Sequence, residues 1–221
     1  MLGISAAAGA VGFAAILLAL LSGWPASEAR VLAADTQPLY LAAYTAGAAF
    51  LLRRILHGGP GFRELWGLPV CRRDLVMAAG TGLSLAIAGN LLWYAVHGPH
   101  VDPSLLTVVP HAWAMVPQFA VTVAGVPFVE EVFYRGMLCR ALRVRWGVAV
   151  AVAASAAVFT AAHVDAMRDD PWQAVPLYAL GVCTGALAVR SGGLRTCYAL
   201  HACYNAMALV AQWTVGSGQG A

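Results

Sequence analysis

Three short polar motifs interrupt long apolar stretches in the second half of this chain. One is a Glu-Glu pair followed by an arginine, and the others are Phe-to-His and His-to-Asn pairs at four-residue spacing. The polar side chains of the three motifs are Glu130, Glu131, Arg135, His163, His201 and Asn205. Because ionisable groups are expensive inside a membrane, their presence predicts a functional site.

The first motif combines an ion pair with an unpaired carboxylate. Glu131 and Arg135 are four residues apart and share a helix face, an orientation that favours an ion pair. Glu130 points about 100° away round the helix and has no such in-helix partner. We therefore expect Glu130 to act as general base or acid, and Glu131 with Arg135 to support it.

The two later motifs supply the remaining groups for hydrolysis. A histidine at the depth of Glu130, such as His163, would hold and polarise a water molecule. His201 and Asn205 share a helix face and offer N–H donors for an oxyanion. Taken singly, each motif also fits a structural ion pair or a helix-packing hydrogen bond. Their joint occurrence on three predicted spans favours catalysis without a serine or cysteine nucleophile.

Composition indicates the class of protein that carries these motifs. The chain has 221 residues, of which 61% are hydrophobic and only 10% charged, so we expect an integral membrane protein. No internal repeat or long polar linker divides it, which predicts a single domain over 1–221. The net charge of +3 is spread over loops rather than one face, so nucleic-acid binding is not expected.

Apolar stretches of spanning length predict an all-α bundle of about seven transmembrane helices. They cover 4–21, 39–56, 75–96, 117–138, 148–163, 175–189 and 194–215. The catalytic core helices would therefore lie within 117–215. A signal peptide is an alternative interpretation of the first stretch, but no basic residue precedes Val11.

The arginines predict how the helices are oriented. They concentrate in the loops after the second, fourth and sixth helices, whereas the alternate loops hold most of the acidic residues. The positive-inside rule then places the N-terminus in the cytoplasm and the C-terminus outside. We expect a multi-pass protein of a cell membrane, in particular a bacterial inner membrane.

The same topology gives the depth of each polar group. Glu130 lies about 13 residues from Arg143, or roughly 20 Å above the inner boundary, and His163 lies roughly 24 Å above it. These two side chains are expected to meet. His201 lies only about 6 residues beyond Arg195, or roughly 9 Å, so the last helix must tilt or begin deeper for His201 to join them.

The motif sequences EEVFYRG, FTAAH and LYALGVCTGALAVRSGGLRTCYALHACYN resemble successive motifs of the CPBP family, the CAAX-protease and bacteriocin-processing membrane proteins. The resemblance implies an intramembrane glutamic endopeptidase in which Glu130 and His163 activate water, with His201 and Asn205 binding the oxyanion. It also implies a membrane-associated protein or peptide as substrate and no cofactor.

Three rival functions stay open on the sequence alone. Glu130, His163 and His201 are acceptable ligands for one zinc ion, so a zinc-dependent protease of the same fold is an alternative. A non-catalytic bacteriocin-immunity or scaffold protein is the second. A transporter or proton relay is the third, although the chain has no inverted repeat.

Overall fold

The computed structural model describes residues 62–98 and 112–217. The predicted helices at 4–21 and 39–56, and the signal-peptide alternative for the first of them, lie outside the described residues. The N-terminal orientation and the count of seven helices therefore remain predictions.

The described residues form helices and no strand, which confirms the all-α prediction. The α-helices are α1 (Phe62–Trp66), α2 (Arg72–His97), α3 (Ala112–Ala120), α4 (Val126–Glu131), α5 (Arg140–Ala161), α6 (Val164–Asp169), α7 (Ala174–Ser191) and α8 (Arg195–Ser217). Two π-helical segments, Val121–Gly125 and Val132–Cys139, lie on either side of α4, and a 3₁₀ turn at Pro171–Gln173 precedes α7.

Three helical stretches are long and apolar enough to cross a membrane: Arg72–His97, Trp113–Ala161 and Pro171–Ser191. The second, 49 residues long, covers two of the predicted spans. Its helical course is broken at Gly147, where φ is 77° and ψ is 177°, a backbone conformation that favours glycine. This break matches the predicted start of a new span at residue 148.

The last helix, α8, is more polar than the three apolar stretches. α8 has 23 residues, enough to span, but it is not among the stretches of high mean hydropathy. Its polar residues include His201, which is buried, and Asn205, which is partly buried. The site residues themselves therefore lower the hydropathy of this helix.

Close approaches at small residues hold these helices together. On α2, a Cβ added at Gly82 would overlap the backbone carbonyl of Leu200 in α8. On α7, a Cβ at Gly181 would come within 2.9 Å of Cα of Ala156 in α5. Small residues of this kind let membrane helices pack backbone to backbone. The Gly82 contact matters most for function, because Leu200 precedes His201.

An aromatic and aliphatic core lies directly beside the polar motifs. Its buried members include Tyr134, Phe159, Leu180 and Leu200, each at most 3% exposed. Tyr134 and Phe159 meet edge to face, with ring centroids 5.2 Å apart. Phe159 also meets the His201 ring edge to face at 5.7 Å, so apolar packing fixes one side of that imidazole.

Candidate active site

The three polar motifs converge although they lie on separate helices. Glu130 and Glu131 end α4, and Arg135 follows in the second π-helical segment. His163 comes directly after α5, and His201 lies in α8. Both glutamates, Arg135 and His201 are buried. π-Helical segments are rare and occur often at functional sites, so their position around α4 agrees with this convergence.

Glu130 lies between two imidazole rings. Its Oε1 is 3.8 Å from Nε2 of His163, and its Oε2 is 3.7 Å from Nε2 of His201. Both separations exceed a direct hydrogen bond, and separations of this size are commonly bridged by a water molecule. The expected meeting of Glu130 with His163 is therefore present, and His201 joins them.

The second nitrogen of His163 is fixed by the backbone of α5, the helix that precedes it. Nδ1 lies 2.8 Å from the carbonyl oxygen of Phe159. A carbonyl oxygen only accepts, so Nδ1 carries a proton and donates it. In the neutral ring, Nε2 then has a free lone pair on the side of Glu130. This is the tautomer that can accept a hydrogen bond from a water molecule.

Glu131 supports two partners at once. Its Oε1 lies 2.8 Å from Nδ1 of His201 and 3.3 Å from Nη1 of Arg135. Arg135 also donates from Nη2 to the carbonyl oxygen of Gly181 over 3.2 Å, and its guanidinium lies 4.7 Å from the centroid of Phe159. The ion pair was expected from the spacing, whereas the bond to His201 was not. No sequence signal links two residues on different helices in this way.

Asn205 contacts the first π-helical segment. Its Nδ2 donates to the carbonyl oxygen of Thr122 over 3.0 Å. In this segment the N–H of Val126 bonds to the carbonyl of Val121, five residues earlier. The next residue, Pro127, has no N–H and cannot bond to Thr122 in the same way. Asn205 therefore satisfies a carbonyl that the proline leaves free, and its second amide hydrogen remains for another acceptor.

Glu130 and the two histidines are the residues of the site that could hold a metal. Among residues 62–98 and 112–217, no three His, Cys, Asp or Glu side chains are grouped as a metal site would require. The set considered for zinc from the sequence was Glu130, His163 and His201.

Comparison with known families gives a match over the part of the chain that carries the polar motifs. Residues 111–207 match the family described as type II CAAX prenyl endopeptidase, Rce1-like. This part of the chain is therefore similar to the Rce1-like CAAX protease family, which confirms the resemblance seen in the motifs. No curated protein and no solved structure gives a significant match.

The matched segment includes every residue of the candidate site, from Glu130 to Asn205. The family match supports a membrane protease role, and the three apolar helical stretches agree with an integral membrane protein. The structure adds two contacts that the motifs alone do not predict, from His201 to Glu131 and from Asn205 to Thr122.

Proposed function

We propose that this protein is an intramembrane endopeptidase that hydrolyses a peptide bond with water activated by Glu130 and His163, without a metal. The observation that carries the proposal is the buried carboxylate of Glu130 between two imidazole nitrogens, at 3.8 Å and 3.7 Å. A carboxylate and an imidazole at this separation can hold one water molecule between them.

In the first step the water oxygen attacks the carbonyl carbon of the scissile bond. Glu130 accepts the proton released by the water, acting as general base. His163 orients the water through Nε2, because its Nδ1 is already bonded to the carbonyl of Phe159. The product of this step is a tetrahedral intermediate with a negative oxygen.

His201 and Asn205 stabilise that oxyanion in the proposal. The imidazolium form of His201 donates from Nδ1 to Glu131 and from Nε2 to the oxyanion. Glu131 accepts the bond from Nδ1, and its carboxylate is in turn paired with Arg135. Glu130 then transfers its proton to the leaving nitrogen as the C–N bond breaks.

The surroundings of the site suit a membrane-associated substrate. Glu130 lies within Trp113–Ala161, the longest of the apolar stretches. Water is scarce there, so a small polar site in this position suits hydrolysis of a protein or peptide that is itself in the membrane. We place the protein in a cell membrane, with a bacterial inner membrane as the proposed compartment.

A comparison of protein termini in membranes of the native host tests the proposal. The wild type, Glu130→Gln and a control, Glu64→Gln, are compared; the Glu64 side chain is 67% exposed and far along the chain from the motifs. We expect at least one membrane-associated protein to keep a terminal segment in the Glu130→Gln strain only. Identical termini in all three strains would instead support a non-catalytic scaffold or immunity protein.

A further inference from the structure

Three arginines line one small cavity, and one of them, Arg135, also pairs with Glu131 of the candidate active site. The cavity has a volume of about 90 Å³, and we call it the arginine cavity. Arg135, Arg140 and Arg143 form part of its wall, and Val189 and Leu194 are among the apolar residues opposite them. We infer that this cavity and the groove beside it bind an anionic phospholipid, with the headgroup phosphate on the arginines.

The charges of the wall favour an anion. No acidic residue is among the described residues that line the cavity. Arg143 is exposed, and Arg140 pairs at 3.8 Å with Glu64, a side chain that is itself 67% exposed. Nε of the buried Arg135 has no hydrogen-bond partner in the described part of the chain. Several guanidinium groups around a small space match the geometry of a phosphate.

The groove next to the cavity indicates a lipid rather than a free phosphate ion. This apolar groove, about 460 Å³ in volume, runs between α5 and α7, and Val189 lines both it and the arginine cavity. Along α7 its lining extends from Tyr178 to Arg190. Twelve residues of helix correspond to roughly 18 Å, which suits an acyl chain. A headgroup in the cavity and a chain in the groove would belong to one molecule.

The position of the cavity agrees with recognition of a membrane lipid. Arg140 and Arg143 lie near the end of a membrane span, a few residues before the break at Gly147. Basic pockets between helices at such ends bind anionic headgroups. The test of the inference does not depend on catalysis, since Arg143 and the groove, which the variants change, take no part in the proposed hydrolysis.

Native mass spectrometry of delipidated protein tests this inference. The protein is titrated with phosphatidylglycerol and with phosphatidylcholine of the same acyl chains, and inorganic phosphate is added as a competitor. We expect the wild type to prefer phosphatidylglycerol. Arg143→Gln should weaken phosphatidylglycerol binding about fivefold, whereas Arg145→Gln, which removes an exposed arginine outside the cavity, should leave it unchanged.

A second pair of variants tests the groove. Ala186 is exposed and lines the groove, so Ala186→Trp should fill it and weaken binding of both lipids. Ala88→Trp, at an exposed position of α2, is the matched control. Thermal melts verify that all variants are folded. Equal affinity of the wild type for the two lipids contradicts the inference. So does a loss of phosphatidylglycerol binding with Arg145→Gln as large as that with Arg143→Gln. Full displacement by inorganic phosphate with no effect of Ala186→Trp would identify a free anion as the occupant and refute a lipid.

Discussion

Nδ1 of His201 lies 2.8 Å from Oε1 of Glu131, and this contact ties α8 to the first polar motif. The same carboxylate oxygen lies 3.3 Å from Arg135, so Glu131 orients an imidazole and neutralises a buried guanidinium together. Glu130, its neighbour, lies at longer distances, 3.8 Å and 3.7 Å, from imidazole nitrogens of His163 and His201. Adjacent glutamates therefore have different environments, and their substitutions should have different effects.

Glu131→Gln should lower stability, and Glu130→Gln should not. Without Glu131 the buried Arg135 loses its anionic partner, which costs about 3–5 kcal/mol. Glu130→Gln keeps the shape of the side chain and removes a desolvated charge, so the fold should persist while turnover falls by about 10²–10⁴-fold. Thermal melts in detergent and a turnover assay measure both effects. An active Glu130→Gln together with a stable, inactive Glu131→Gln would mean that the two roles are reversed.

Gly82→Ala should separate α2 from α8 and disturb the site indirectly. The added Cβ would overlap the carbonyl of Leu200, and overpacking of this kind costs about 1–3 kcal/mol. Movement of Leu200 would also displace His201, so activity should fall as well. Gly80→Ala is the matched control, because its Cβ would meet nothing within 4 Å in the described structure. Equal melting temperatures for the two variants would show that the close approach is unimportant.

The link between Asn205 and Thr122 should depend on Pro127. Asn205→Ala leaves the Thr122 carbonyl without its donor, which should cost about 1–3 kcal/mol. In a Pro127→Ala background a backbone N–H becomes available to that carbonyl, so the cost should shrink by about 1 kcal/mol. Unfolding of the single and double variants in detergent measures the coupling.

The control for this double-mutant cycle of Asn205 and Pro127 is a proline elsewhere in the same helical stretch. Pro117 lies inside α3, five residues before Thr122. Pro117→Ala should leave the cost of Asn205→Ala unchanged. Strictly additive effects of Asn205→Ala and Pro127→Ala would rule out the proposed compensation between the two residues.

Helix positions could be predicted well from apolar length, because a spanning stretch must be both long and apolar. The predicted stretch 75–96 corresponds to Arg72–His97, and 175–189 to Ala174–Ser191. The predicted meeting of Glu130 and His163 rested on counting residues from Arg143 for Glu130 and from Gly147 for His163. That count worked because Arg143 lies close to the break at Gly147.

The same count placed His201 too far from the glutamates, and the reason is the location of Arg195. The count assumed that Arg195 lies at the aqueous boundary. In the structure Arg195 is only partly exposed, and its guanidinium lies 6.0 Å from the ring centroid of Trp66. α8 therefore begins inside the bundle. This is one of the two conditions, a tilt or a deeper start, under which His201 was expected to reach the glutamates. The π-helical segments were not predictable from the sequence either. They contact residues of other helices, as Asn205 of α8 contacts Thr122, and the sequence does not show which helices meet.

Cys71 should report the orientation of the protein. It precedes α2, is exposed and has no disulfide partner, while Cys139 and Cys197 are buried. We expect a variant that retains only Cys71 to react with a membrane-impermeant thiol reagent after the cells are opened and not before. A cysteine-free variant controls for background labelling. Labelling of intact cells would reverse the orientation predicted from the arginines.

Purified protein should retain its activity in a chelator. Each step of the proposed hydrolysis uses only carboxylate, imidazole and amide groups. We expect turnover within about twofold of the untreated value and less than stoichiometric zinc by elemental analysis. A zinc-dependent protease treated with the same chelator serves as the positive control. Complete inhibition that added zinc reverses would establish the metalloprotease alternative, with Glu130, His163 and His201 as the first ligands to substitute.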